Sequence, residues 1–146
     1  MIPALQFIAT LSTALFAGAS IYINLAEHPA RMECGTQIAA TVWAPSYRRA
    51  TLMQASLAII GFATGFAAWS LGGSLMWLIG AVLIGLVVPF TFIAIMPTNR
   101  QLQTPGRDLA SQETRLLLVK WGNLHAVRSA LSFAASLVYV GLLVFT

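Results

Sequence analysis

The sequence predicts an all-α, antiparallel four-helix transmembrane bundle, up-down-up-down, and three observations carry that reading. Hydrophobic residues make up 58% of the 146 residues and charged residues 8%, against roughly 45–50% and about 25% in soluble globular chains. Residues 1–26, 50–99 and 129–146 hold no Asp, Glu, Lys or Arg, so every formal charge falls in two windows, Glu27 to Arg49 and Arg100 to Arg128. A soluble surface needs charges spread along the chain. The apolar stretches supply runs near the ~20 residues that cross a ~30 Å hydrocarbon core.

Taken in order, the spans are expected at about 3–25, 50–70, 75–97 and 114–145, within a single membrane domain covering 1–146. Pro3 is tolerable in an opening turn. The small residues Ala17-Gly18-Ala19 resemble a signal-cleavage site, but no basic region precedes them and the apolar run is too long, so a retained span is expected. The block 50–99 has room for two spans, with Leu71-Gly72-Gly73-Ser74 as the turn. Pro89 should kink the third span. Ser111-Gln112-Glu113 offers a cap and an acidic first turn to the fourth. Gly61 and Gly65 would allow close helix approach. Trp69 and Trp77 beside the Gly-Gly turn, with Trp43 and Trp121 toward the other face, fit aromatic belts.

Four spans put the first and third connections on one side. Those connections carry Arg31, Arg48, Arg49, Arg100, Arg107 and Arg115, while the ends and the Gly-Gly turn carry no Lys or Arg. The positive-inside rule then places both charged windows in the cytoplasm and both termini outside, in a bacterial inner (plasma) membrane. The net charge of +4 is explained in the same way. No basic run interleaved with aromatics is present to bind nucleic acid. Cys34 is the single cysteine, which excludes an internal disulfide and a thiolate metal cage. GxSxG, GxGxxG and P-loop patterns are absent, so neither nucleophilic catalysis nor a nucleotide cofactor finds support.

The acid–base equipment gathers at one depth. Asn24, Glu27 and His28 stand at i, i+3 and i+4, one helical face, with Pro29 ending the helix. Tyr47, Arg48 and Arg49 open the second helix, and Pro97-Thr98-Asn99-Arg100 closes the third. Trp121, His125 and Arg128 share a face of the fourth, with Asn123 to the side. Arg128, only 18 residues from the last residue, must sit inside the membrane boundary, snorkel, or find a partner in the bundle, for which Glu27 is the candidate. Arg31, Arg48, Arg100, Trp43 and Trp69 read as interfacial anchors, and Gln54 as a helix-to-helix hydrogen bond. Histidine can act as base, acid or metal ligand near neutral pH. No cofactor is required by the sequence; His28, His125 and Glu27 would form a facial metal set with open positions.

The segments Asn24 to Pro29, Pro97 to Leu102 and Trp121 to Arg128 resemble those of the anthrone oxygenase family of small four-span membrane proteins. The resemblance covers essentially the whole chain, and its strongest parts are the Trp-x-x-x-His-x-x-Arg helix and the Pro-x-Asn turn. It implies oxidation of an anthrone-type polyketide to an anthraquinone by dioxygen, without flavin, haem or nicotinamide. The implied roles are His125 as base and His28 as second acid or base. Asn99, Asn123 and Arg128 would be oxyanion donors, and Glu27 would orient a histidine or pair with Arg128. Trp121 and Tyr47 would stack on a planar ring system, with Asn24 and Arg49 as further substrate contacts. The implied partners are the bilayer and a lipophilic aromatic molecule arriving laterally through it; an oligomer is allowed but its order is not readable. The alternative is a non-enzymatic membrane module: a transporter, a partner subunit, or a metal or proton carrier. The scarcity of polar groups at mid-depth speaks against transport.

Overall fold

The computed structural model describes residues 1–145. Among these, four helices are long and apolar enough to cross a membrane: Ile2–Glu33, Thr36–Ser70, Leu75–Leu102 and Gln112–Phe145. No strand occurs among the described residues. The protein is an all-α integral membrane bundle of four spans.

The first span joins α1 (Ile2–Tyr22), a π-helical turn (Ile23–Glu27) and α2 (His28–Glu33). The second is the single helix α3 (Thr36–Ser70). The third repeats the plan of the first, with α4 (Leu75–Phe90), a π turn (Thr91–Ile95) and α5 (Met96–Leu102). The fourth is α6 (Gln112–Phe145). α1 packs along α3 and α6, and α4 packs along the same two, so consecutive spans are neighbours and the fourth closes on the first. Short connections force neighbouring spans antiparallel. At the end of α3, Gly72 takes φ 105°, and Gly72 and Gly73 donate to the carbonyls of Trp69 and Ala68. That pair of bonds is a Schellman ending, and the positive φ suits glycine.

Prolines do not stop the helices where the sequence suggested. Pro29 was expected to end the first span, yet helix continues to Glu33. Helix likewise runs through Pro97 to Leu102. Each proline follows a π turn by two residues. In those turns the bonds skip five residues, His28 N–H to the Ile23 carbonyl and Met96 N–H to the Thr91 carbonyl. A proline ring collides with the carbonyl four residues back, here Leu25 or Ile93. Both carbonyls lie inside the widened turn, which moves them aside. The start of the second helix also needs correction. It begins at Thr36 rather than at Tyr47–Arg49, and Pro45 lies within it. The cap of the fourth helix is as expected, with Ser111 Oγ accepting the Thr114 N–H at 3.2 Å.

Tryptophans expected at the interface are in part core. Trp77 is buried and stacks on Tyr139 at 4.9 Å. Trp43 and Trp121 are buried in a cluster with Ile95, Leu102, Leu117 and Leu118 at the charged end of the bundle. Gly61 does permit close approach, since a Cβ there would lie 2.6 Å from Thr13 Oγ1.

Candidate functional site

The π turn in the first span distributes its polar side chains. Winding less per residue than an α-helix, it sends Asn24 and Glu27, three apart, to different neighbours instead of one face. Asn24 reaches α6. Its Nδ2 donates to the Gly122 carbonyl at 3.0 Å, and its Oδ1 accepts from Ser129 Oγ at 2.6 Å. The same Oδ1 lies 2.7 Å from His125 Nδ1. Because Gly122 offers only an acceptor, the amide's orientation is settled, and Nδ1 of His125 must carry the proton. Nε2 of the neutral ring is left as the lone-pair nitrogen, without a hydrogen-bond partner among the described residues.

Glu27 turns instead toward α3. Its Oε1 accepts from Ser46 Oγ at 3.0 Å and from Arg31 Nη2 at 3.1 Å. Arg128 Nη2 donates to Gln54 Oε1 at 2.8 Å, and its guanidinium lies 5.5 Å over the Phe16 ring. The expected Glu27–Arg128 pair is therefore absent: an acid one turn from Arg31 on its own helix is captured locally. The expected interhelical role of Gln54 is present, through Arg128 and, at 3.5 Å, Ser20.

These groups enclose a hollow of about 50 Å³, lined by Glu27, Arg31, Trp43, Tyr47, Gln54, Trp121, His125 and Arg128 among others. That volume admits a few water molecules. Tyr47, Thr51, Gln54 and Arg128 also line an adjoining, largely apolar chamber of about 100 Å³. Ala58 and Val88 in turn belong to both that chamber and an open apolar cleft of about 440 Å³ between α3 and α4. Polar hollow, chamber and cleft thus share walls in succession.

Not all the expected site residues meet here. Trp121 stands between the two histidines, its ring 5.2 Å from His28 and 4.9 Å from His125. His28 donates from Nε2 to the Leu118 carbonyl at 3.0 Å and borders an outer groove with Asn24 and exposed Asn123. The shared hollow expected for both imidazoles is not formed. The facial metal set is not gathered either: among the described residues no three His, Cys, Asp or Glu side chains converge. Arg49 is exposed, away from the hollow. Asn99 is 0% exposed, neither amide atom has a hydrogen-bond partner among the described residues, and it does not line the hollow. Asn24 does not line the hollow; its Oδ1 and one amide N–H are taken by α6, and it holds His125. Tyr47 stacks on Trp43 at 5.2 Å, nearly parallel at 7°, so one face of its ring is already covered.

Arg31 was read as an anchor, but it is buried at 7% exposure in the wall of the hollow. The Glu27–Arg31 spacing of one helical turn was the available signal. Trp43, Ser46 and Ser129 were not separable from ordinary packing, because their roles depend on which helix faces them.

Fold and site together define an integral membrane bundle with a buried polar hollow beside a largely apolar chamber. The chain belongs to the anthrone oxygenase family, whose profile matches residues 43–138. It is 28% identical over 134 residues to the anthrone oxygenase tpcL of Aspergillus fumigatus, covering 85% of this chain and 83% of that protein. It is 27% identical over 145 residues to an anthrone oxygenase of Claviceps purpurea, covering 89% and 83%. No solved structure matches it. An oxygenase-type function thus attaches to the chain at the level of the family. His125 and Arg128 fall inside the matched stretch, whereas Asn24, Glu27 and Arg31 precede it.

Proposed function

We propose that this protein oxidises a lipophilic anthrone- or phenol-type substrate with dioxygen, using Nε2 of His125 as the base. The observation that carries the reading is the Asn24–His125 bond, which leaves the basic nitrogen without a partner in a ring that lines the hollow. An anthrone has an acidic CH2 conjugated to a carbonyl. Nε2 takes one proton from it, and the negative charge moves onto the carbonyl oxygen, where Arg128 provides a cationic donor. The electron-rich carbon passes an electron pair to dioxygen and forms a C–O bond. The peroxide anion takes the proton back from Nε2, and the hydroperoxide then loses water as the second C–H bond breaks, so anthrone and O2 become anthraquinone and H2O.

The cavities support a substrate that comes from the bilayer. The hollow alone is too small for three fused rings, whereas the chamber and cleft extend it toward lipid. An apolar body would lie along α3 and α4 with its polar edge toward His125 and Arg128. The apolar lining also limits water around the reactive intermediates. By the positive-inside rule the hollow lies near the cytoplasmic face.

His125→Ala tests the base. Oxygen uptake with anthrone as substrate should fall by about 10²–10⁴-fold, the range for a positioned base, while the protein remains extractable and monodisperse. Undiminished uptake would remove His125 from the reaction.

A further inference from the structure

Two guanidiniums and one carboxylate line the hollow. Arg31 is 7% exposed and Arg128 is 8% exposed. Glu27 already shares its Oε1 between Arg31 and Ser46, and the acceptor held by Arg128 is the neutral amide of Gln54. What remains is an excess of donors. Nε and Nη1 of Arg31, Nε of Arg128, and the indole nitrogens of Trp43 and Trp121 are all buried without a hydrogen-bond partner among the described residues. These four side chains belong to the wall of the same cavity. Unused buried N–H groups are uncommon and call for an acceptor. Those on a guanidinium call for a charged one, because an unmatched buried charge is costly.

We infer that the hollow is an oxyanion site, and that Arg31 selects aromatic ligands already carrying an ionised oxygen: a carboxylate or a phenolate on the ring system. Nε and Nη1 of Arg31 open on different edges of the planar guanidinium, with Nη2 held by Glu27 between them, so each offers one charge-assisted N–H to an anionic oxygen. The hollow's small size fits a substituent of that kind, while the ring body occupies the chamber beyond Arg128. This deepens the oxygenase reading and rests on it only for the type of ring. Arg31 has a role apart from the chemical step: it binds the ligand's charge in the ground state.

The test is equilibrium binding, read without turnover. Trp43 and Trp121 line the hollow, so quenching of their fluorescence reports occupancy by anthraquinone-2-carboxylate and by its uncharged methyl ester, with the protein in nanodiscs. The acid should bind at least about tenfold tighter than the ester, as a charge-assisted pair warrants. Because Arg31→Met alone strands Glu27, it is combined with Glu27→Gln; this double variant should lose most of the preference. Glu27→Gln alone, which removes the competing carboxylate charge beside Arg31, should strengthen it. Equal binding of acid and ester to the unaltered protein overturns the inference, as does a preference that survives loss of Arg31. If His125→Ala keeps its oxygen uptake while the acid–ester difference stands, the catalytic reading fails and this one does not.

Discussion

Asn24 Oδ1 lies 2.7 Å from His125 Nδ1, across 101 residues of sequence, and the same amide donates to the Gly122 carbonyl. One side chain thereby fixes which nitrogen of the imidazole holds the proton. Asn24→Ala should lower kcat about 10- to 100-fold, the usual cost of losing a group that orients an acting residue. KM should change little, because Asn24 does not face the ligand. Asn24→Asp keeps an acceptor for Nδ1 and should recover much of the rate. Steady-state oxygen uptake on both variants checks this; equal losses would trace the effect to folding.

Gln54 is the one side-chain hydrogen-bond acceptor for the Arg128 guanidinium among the described residues, and both are buried. Gln54→Leu removes the acceptor and leaves a buried cation, so stability should fall by about 1–3 kcal/mol or somewhat more. Replacing both residues with apolar ones of similar size, Gln54→Leu with Arg128→Met, should restore most of it. Thermal unfolding in detergent measures the two effects. The double variant should stay inactive, which separates the stability role of the pair from its place in the reaction.

Gly122 sits under the His28 ring, where a Cβ would lie 2.8 Å from Cδ2 and Nε2. Gly122→Ala should therefore cost about 1–3 kcal/mol through overpacking, breaking the His28–Leu118 bond or separating the first span from the fourth. His28→Ala added to Gly122→Ala should relieve the clash. Additive destabilisation in a double-mutant cycle would show that the contact does not govern stability.

Ala58 belongs to both the inner chamber and the lipid-facing cleft. A large side chain, as in Ala58→Phe, should narrow the passage between them. If substrate enters there, kcat/KM should fall about tenfold or more while the acid–ester binding preference persists at long equilibration. That loss is about 1.4 kcal/mol in the barrier. Unchanged kinetics with a folded variant would place the entrance elsewhere.

Much of the fold was legible in the charge pattern, because a bilayer penalises charge along the whole length of a span. The four spans and their antiparallel order follow from that pattern together with the length of the block 50–99 and its Gly72-Gly73 turn. Helix limits were less legible. Pro29 and Pro97 are chemically identical to prolines that end helices, and only the π turns before them, held by His28–Ile23 and Met96–Thr91 backbone bonds, decide otherwise. Pro45 was uninformative for a similar reason: nothing local reveals that Thr36–Ser70 is one helix.

For the site, the sequence determined by itself which side chains lie at the charged end of the bundle, since polarity along a span sets depth. It could not determine which of them face one another. Rotation about each helix axis depends on backbone register, and the first π turn changes that register between Asn24 and Glu27. The tertiary structure alone therefore decided that His125 turns to Asn24 and His28 to Leu118, and that Glu27 stays with Arg31 while Arg128 takes Gln54.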